Sequence, residues 1–339
     1  MAAAFADLPL ALFSTLAPMG AGAFLILAIL FSTTKLEDDG IASVDKCTVI
    51  PVALVIVGFI AAFFHLASPF HAFAAFTGLG TSPLSNEVLM GCVFVAAMLV
   101  YWIWAMSGKM TLGVRKGLIW VVAVLGLVFA WFTGMAYMID TIPSWNTLAG
   151  PVQIVGFALV GGAAVAVLVL ALAKRADVLK NATLKTAVLA VLAVGIVLGV
   201  GGLIAQAATT SAMGNAVFTG ADLVSGAMMV IVCGIICLVG TGVCDVFAVR
   251  GAGAGTLVGV SFGAAVLAIV GILLLRLAFF LSSKSISSAL TLSIVILPSC
   301  PYCAFASPLS TFRSITAETA ASISSAHIEA YGIPYSGTR

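Results

Sequence analysis

The sequence predicts an all-α, polytopic membrane protein: eight transmembrane helices in a bundle, with the N-terminus outside. Three observations carry that reading. Of 339 residues, 63% are hydrophobic and 8% charged, whereas a soluble domain carries roughly a quarter charged residues. The apolar runs reach the ~20 residues that a helix needs to cross a hydrocarbon core. Lysine and arginine gather in alternate connections and are missing from those between. Lipid offers the backbone no hydrogen-bond partners, so runs of this length have to be helices.

Eight spans follow in order: Leu8–Phe31, Thr48–His65, Val88–Met106, Leu118–Met138, Val152–Ala173, Leu184–Ala207, Leu223–Val246 and Thr256–Leu281. Ahead of the first, Met1–Asp7 has no basic segment, and the run itself is too long for a cleaved signal core, so it reads as a retained helix. The second ends at His65, because Pro69 stops a regular helix soon after. The third starts behind Ser85, a candidate N-cap, with Glu87 in its first turn. The later spans are rich in small residues, among them Gly156, Gly162, Gly195, Gly199 and Gly202. Small residues let helices approach closely in lipid, where packing replaces the hydrophobic effect. Beyond Leu281 the chain turns to Ser, Thr and Ala, and its one apolar stretch, Leu290–Leu297, is too short to cross a bilayer. The expected division is an eight-helix domain at 1–281 and a Ser-rich, poorly structured extension or peripheral segment at 282–339.

Charge fixes the expected orientation. Lys35 and Lys46 lie in the first connection, Lys109, Arg115 and Lys116 in the third, Lys174, Arg175, Lys180 and Lys185 in or beside the fifth, and Arg250 in the seventh. The positive-inside rule makes these connections cytoplasmic. His65, Glu87, the stretch from Asp140 to Trp145 and Asp222 then face outward. Membrane lipid is the surroundings this composition calls for, and nucleic acid is not an expected partner. Cys92, Cys233 and Cys237 fall within spans, where cysteine behaves as a small apolar residue. Cys300 and Cys303 have redox-motif spacing but lack the βαβ context such a motif needs, and no metal site is expected.

The chemistry-bearing residues bracket one polar stretch. His65 and Glu87 stand at its two ends, in a part of the chain free of Lys and Arg from Cys47 to Gly108. Ionisable groups at membrane depth are costly and mark functional sites by default. His65 reads either as a proton acceptor or hydrogen-bond partner at a quinone ring, or as an interfacial imidazole bonded to a loop carbonyl. Glu87 reads either as a carboxylate passing a proton to water, or as an acid stabilised by the helix N-terminus. His71 completes the candidate set, as a network member or a headgroup-level side chain. Arg276, near the outer end of the last span, either snorkels to the interface or pairs with an acid such as Asp140. Transmembrane haem is not expected, because a bis-imidazole site needs two histidines on facing helices.

The run H-L-A-S-P-F-H-A-F (His65–Phe73), continuing to G-T-S-P-L-S-N-E (Gly80–Glu87), resembles the membrane anchor subunit of anaerobic dimethyl sulfoxide reductases. I-D-T-I-P-S-W (Ile139–Trp145), A-G-A-F (Ala21–Phe24), Gln206 and R-L-A-F-F (Arg276–Phe280) resemble further parts of that family, so the likeness covers roughly 8–280. The resemblance implies a haem-free subunit that oxidises menaquinol in the inner membrane of a prokaryote during anaerobic respiration. It also implies partners: a four-cluster iron–sulfur subunit and a molybdopterin catalytic subunit, which alone hold the clusters and the molybdenum cofactor. By position, His65 and Glu87 match the family's quinol-site residues, and His71 stands where the family's pattern implies an arginine. Two rivals remain open. A secondary transporter implies polar groups near the bilayer midplane, and a polysulfide or nitrite reductase-type membrane subunit implies acidic residues inside the bundle. The sequence shows neither.

Overall fold

The computed structural model describes residues 7–65, 76–139, 142, 144–215, 218–251 and 253–296. Its helices are α1 (Leu8–Thr33), α2 (Asp38–Cys47), α3 (Val49–His65), α4 (Pro83–Met106), α5 (Leu112–Met135), α6 (Ala149–Leu172), α7 (Ala182–Ser211), α8 (Gly220–Gly251) and α9 (Ala254–Ile296). Eight segments are long and apolar enough to cross a membrane, with α2 and α3 read together as the second. The chain is therefore all-α. Among the described residues the only strands are the two-residue β1 (Gly214–Asn215) and β2 (Phe218–Thr219), paired antiparallel in the turn between α7 and α8.

Two helices form the centre. The most apolar stretch of α6 is 94% buried and that of α1 83%, against 18% for α8. The reason lies in side-chain size. A Cβ added at Gly162 would lie 2.3 Å from the backbone of Gly22, and one at Gly156 2.2 Å from the backbone of Gly199. The backbones of α1, α6 and α7 thus touch where only glycine fits. Helices around this centre expose large apolar side chains, such as Phe64, Val197 and Met229. In a soluble protein such a surface would seek a partner, whereas here it faces lipid.

Most helices run a few residues beyond the expected span ends, and at three places the difference has a local reason. α4 begins at Pro83, with Ser82 rather than Ser85 at the N-cap. Proline suits the first helical position, since its missing N–H would be unsatisfied there anyway. The second segment opens with a separate short helix, α2, which carries Asp38 and Asp39 in its first turn and Lys46 in its last and so complements the helix dipole. α9 runs to Ile296, past the expected span end at Leu281. Between Leu281 and Pro298 the sequence holds no proline or glycine to stop it.

The end bearing the basic connections is tied by polar contacts. Arg115 of α5 forms a buried ion pair with Asp45 of α2. Asn181 caps α7 by accepting from the N–H groups of Thr183 and Leu184, and its side-chain amide donates to the Thr33 carbonyl at 3.2 Å. These bonds fix the first, third and fifth connections against one another.

Candidate functional site

At the opposite end of the bundle, α1, α4, α5 and α9 bring one polar cluster together. Glu87 lies in α4, one turn beyond the helix start. It is thus not in the first turn, where the dipole alone would account for a carboxylate. The side chain is 7% exposed and Thr133 of α5 stands beside it. Its Oε1 has no hydrogen-bond partner among the described residues.

Arg276 of α9 is fully buried, so it does not snorkel. Its Nε donates to the Ser14 hydroxyl of α1 at 2.8 Å. The guanidinium carbon lies 4.6 Å from the ring centroid of Tyr137, 4.5 Å from that of Phe279 and 5.1 Å from that of Phe280. Cation–π attraction in such a dry setting is worth ~2 kcal/mol, which helps explain how an arginine is kept here. Trp145 closes the group, stacked on Phe279 at 5.2 Å with 14° between the planes. Nη1 and Nη2 of Arg276 meet no partner with full hydrogen-bond geometry among the described residues, although the Tyr137 hydroxyl stands close enough to the guanidinium to interact with it. Glu87 and Arg276 feel one another's charge but do not close into an ion pair.

A narrow cleft adjoins the cluster, lined by Leu203, Gln206 and Thr210 of α7, Val224 and Ile231 of α8, and Ala278 and Phe279 of α9. Gln206 also meets Gln153 of α6 at 3.4 Å. Phe279 belongs to both the cleft and the aromatic group, so one ring separates them.

Of the residues singled out in the sequence, Glu87 is in the cluster. His65 is the last residue of α3, and its side chain lies outside the described residues, as do all of His71 and Asp140. Sequence reasoning left Arg276 between two surroundings and missed both its contact with Ser14 and its aromatic enclosure. The aromatic pair of R-L-A-F-F was the available signal. It also missed Asp245. This acid is fully buried on α8, and neither carboxylate oxygen has a partner among the described residues. The expectation that no acid lies inside the bundle is therefore corrected. Asp245 sits next to the expected span end at Val246, but α8 continues to Gly251 and places it within the helix pair with α9. No cluster of three or more His, Cys, Asp or Glu able to hold a metal ion is found among the described residues.

A bundle of membrane-crossing helices with an enclosed acid–arginine cluster near one face defines an integral membrane subunit with a polar site at lipid depth. The protein belongs to the DMSO reductase anchor subunit (DmsC) family, whose model matches residues 1–295. It is 32% identical over 174 residues to the C subunit of the anaerobic dimethyl sulfoxide reductase of Escherichia coli (strain K12), covering 51% of this protein and 61% of that one. It is 34% identical over 142 residues to the subunit of the same name from Haemophilus influenzae, covering 41% and 50%. It is also 34% identical over 138 residues to the YnfH subunit of an anaerobic dimethyl sulfoxide reductase of Escherichia coli (strain K12), covering 41% and 48%. The protein thus spans between 48% and 61% of the length of these relatives. The family resemblance seen in the sequence is borne out, and the protein is a multi-pass membrane protein of an anchor-subunit family.

Proposed function

We propose that this protein anchors a dimethyl sulfoxide reductase-type complex in the inner membrane of a prokaryote and oxidises menaquinol there. Glu87 carries the reading: a carboxylate at membrane depth, with one oxygen open, in a protein of this family. Menaquinol enters from the bilayer near the ends of α3 and α4. One hydroxyl gives its proton to His65, and Glu87 relays protons toward the outer face, with His71, six residues beyond His65, as a further member of the network. The oxidation yields menaquinone, two protons and two electrons, and the electrons go to the iron–sulfur partner. A molybdopterin catalytic partner would consume them, so the molybdenum and iron–sulfur groups belong to those subunits. The basic connections face the cytoplasm by the positive-inside rule, which puts the N-terminus and the Glu87 end outside.

Turnover of the whole complex tests this. General acid–base groups contribute roughly 10²–10⁴-fold. Glu87→Gln and His65→Arg are therefore expected to cut menaquinol-driven reduction at least ~100-fold, while reduction driven by a soluble dye that feeds the catalytic partner directly stays at the wild-type rate. Assembled variants with full menaquinol-driven rates would refute the assignment.

A further inference from the structure

Buried polar atoms in folded proteins are nearly always hydrogen-bonded, so a group of orphans at one place calls for a missing partner. Three orphans occur together here. Glu87 Oε1 is an acceptor, and Arg276 Nη1 and Nη2 are donors. Arg276 is not loose: its Nε is held by Ser14 at 2.8 Å, and its plane is enclosed by Tyr137, Phe279 and Phe280. The Tyr137 hydroxyl is a further polar neighbour of the guanidinium, and it does not complete the geometry at either outer nitrogen. Opposite charges in a dry interior attract strongly, yet this pair stays apart, while Asp45 and Arg115 at the other end do close. An oxygen that accepts and donates at once, that is, a hydroxyl, would satisfy both kinds of orphan.

We infer that Arg276 is the second pole of the quinol site. Its Nη atoms donate to a headgroup hydroxyl whose own proton is given to Glu87 Oε1. This rests on the reading of Glu87 as a quinol-site residue. The surroundings suit a planar ring, since Trp145 and Phe279 already stack at 14° within the same group. Phe279 also lines the cleft beside Gln206 and Thr210. A water molecule meets the same hydrogen-bonding demand, and the experiment separates the two.

The probe is a fluorescent alkyl-hydroxyquinoline N-oxide, a planar quinol analogue, titrated into the assembled complex. Arg276→Met keeps an apolar stem of similar shape and removes the donors. It is expected to raise the analogue Kd and the menaquinol KM about tenfold, what a charge-assisted hydrogen bond is worth, with dye-driven reduction unchanged. Arg276→Lys, which keeps the charge but loses the fork, is expected to fall between Met and wild type. A role in packing alone would instead leave Met closer to wild type than Lys, and that order overturns the inference. So does an assembled Arg276→Met variant with wild-type Kd, which means that the orphan atoms hold only water. If Met fails to assemble, Lys decides: a Kd raised severalfold supports the inference and an unchanged Kd overturns it. Glu87→Gln runs beside them. Loss of turnover there, with Kd unchanged on changing Arg276, removes Arg276 alone, whereas unchanged turnover in Glu87→Gln removes the underlying quinol-site reading.

Discussion

Gly22→Ala tests whether backbone contact between α1 and α6 sets the architecture. A methyl added at Gly22 would lie 1.9 Å from the Ala158 carbonyl oxygen and 2.6 Å from its carbon. That is roughly 1.5 Å short of van der Waals separation. The obstacle is backbone, so no side chain can rotate aside, and both helices are enclosed on nearly every side. Overpacking of this kind costs ~1–3 kcal/mol, offset by up to ~1 kcal/mol of improved helix propensity. Gly201, in α7, is the control: an added Cβ meets nothing within 4 Å. There the propensity gain stands alone, ~1 kcal/mol in favour of alanine. The propensity term cancels between the two variants, so Gly22→Ala should be less stable than Gly201→Ala by ~1–3 kcal/mol. Thermal unfolding of the purified protein in mild detergent, followed by near-ultraviolet circular dichroism, reads the difference as several degrees in Tm. A Gly22→Ala variant as stable as Gly201→Ala would refute the close-contact argument.

Two further substitutions follow from buried charge. The Asp45 and Arg115 side chains are each 4% exposed, so Asp45→Asn strands a buried guanidinium and is expected to cost ~3–5 kcal/mol. Replacing both partners with apolar residues should recover most of that in a double-mutant cycle, and additive losses would show that the pair is not coupled. Asp245→Asn replaces a carboxyl group that has no partner among the described residues. Its stability should match that of wild type or exceed it by up to ~1 kcal/mol; a clear fall in Tm would reveal an interaction that the carboxylate alone supplies.

How much the sequence discloses depends on which physical contrast is at work. The eight spans were legible because apolar length against the bilayer is a strong signal, while their ends, which polarity marks only loosely, shifted by a few residues, at Ser82 and Pro83 for a local reason. That α1 and α6 occupy the centre was not legible. Lipid is as apolar as leucine, so a lipid-facing helix and a central helix have the same polarity pattern. Only the glycines hinted at it, and which pairs meet, such as Gly22 with Gly162, is a property of the assembled bundle. Glu87 stood out from its apolar neighbours, whereas the setting of Arg276 was hidden because its partner Ser14 lies 262 residues away. Asp245 escaped for a related reason: from sequence it sits at a span end, and only the continuation of α8 encloses it.

The two ends of the bundle handle charge in opposite ways, and the contrast locates the chemistry. Burying an ion is costly unless its partner is close and well placed. At the basic end the cost is met directly, with Arg115 against Asp45 and over the Phe31 ring, in a contact that joins two connections. At the other end, a carboxylate and a guanidinium share one enclosed cluster without forming an ion pair. Open polar atoms occur at both ends, Asp45 Oδ1 and Arg115 Nε included, so the unclosed pair is what sets this end apart. A structural ion pair gains from closing, so an arrangement in which Ser14 and the aromatic rings hold the arginine in place while the pair stays open gains only if something else enters. An anchor needs the first kind of contact. A site that takes a reduced carrier from the bilayer needs the second, with an acceptor for the proton and a donor to steady the oxygen it leaves. This division predicts where variants will act: those at Asp45 and Arg115 on assembly and stability, and those at Glu87 and Arg276 on carrier-dependent turnover in complexes that still assemble.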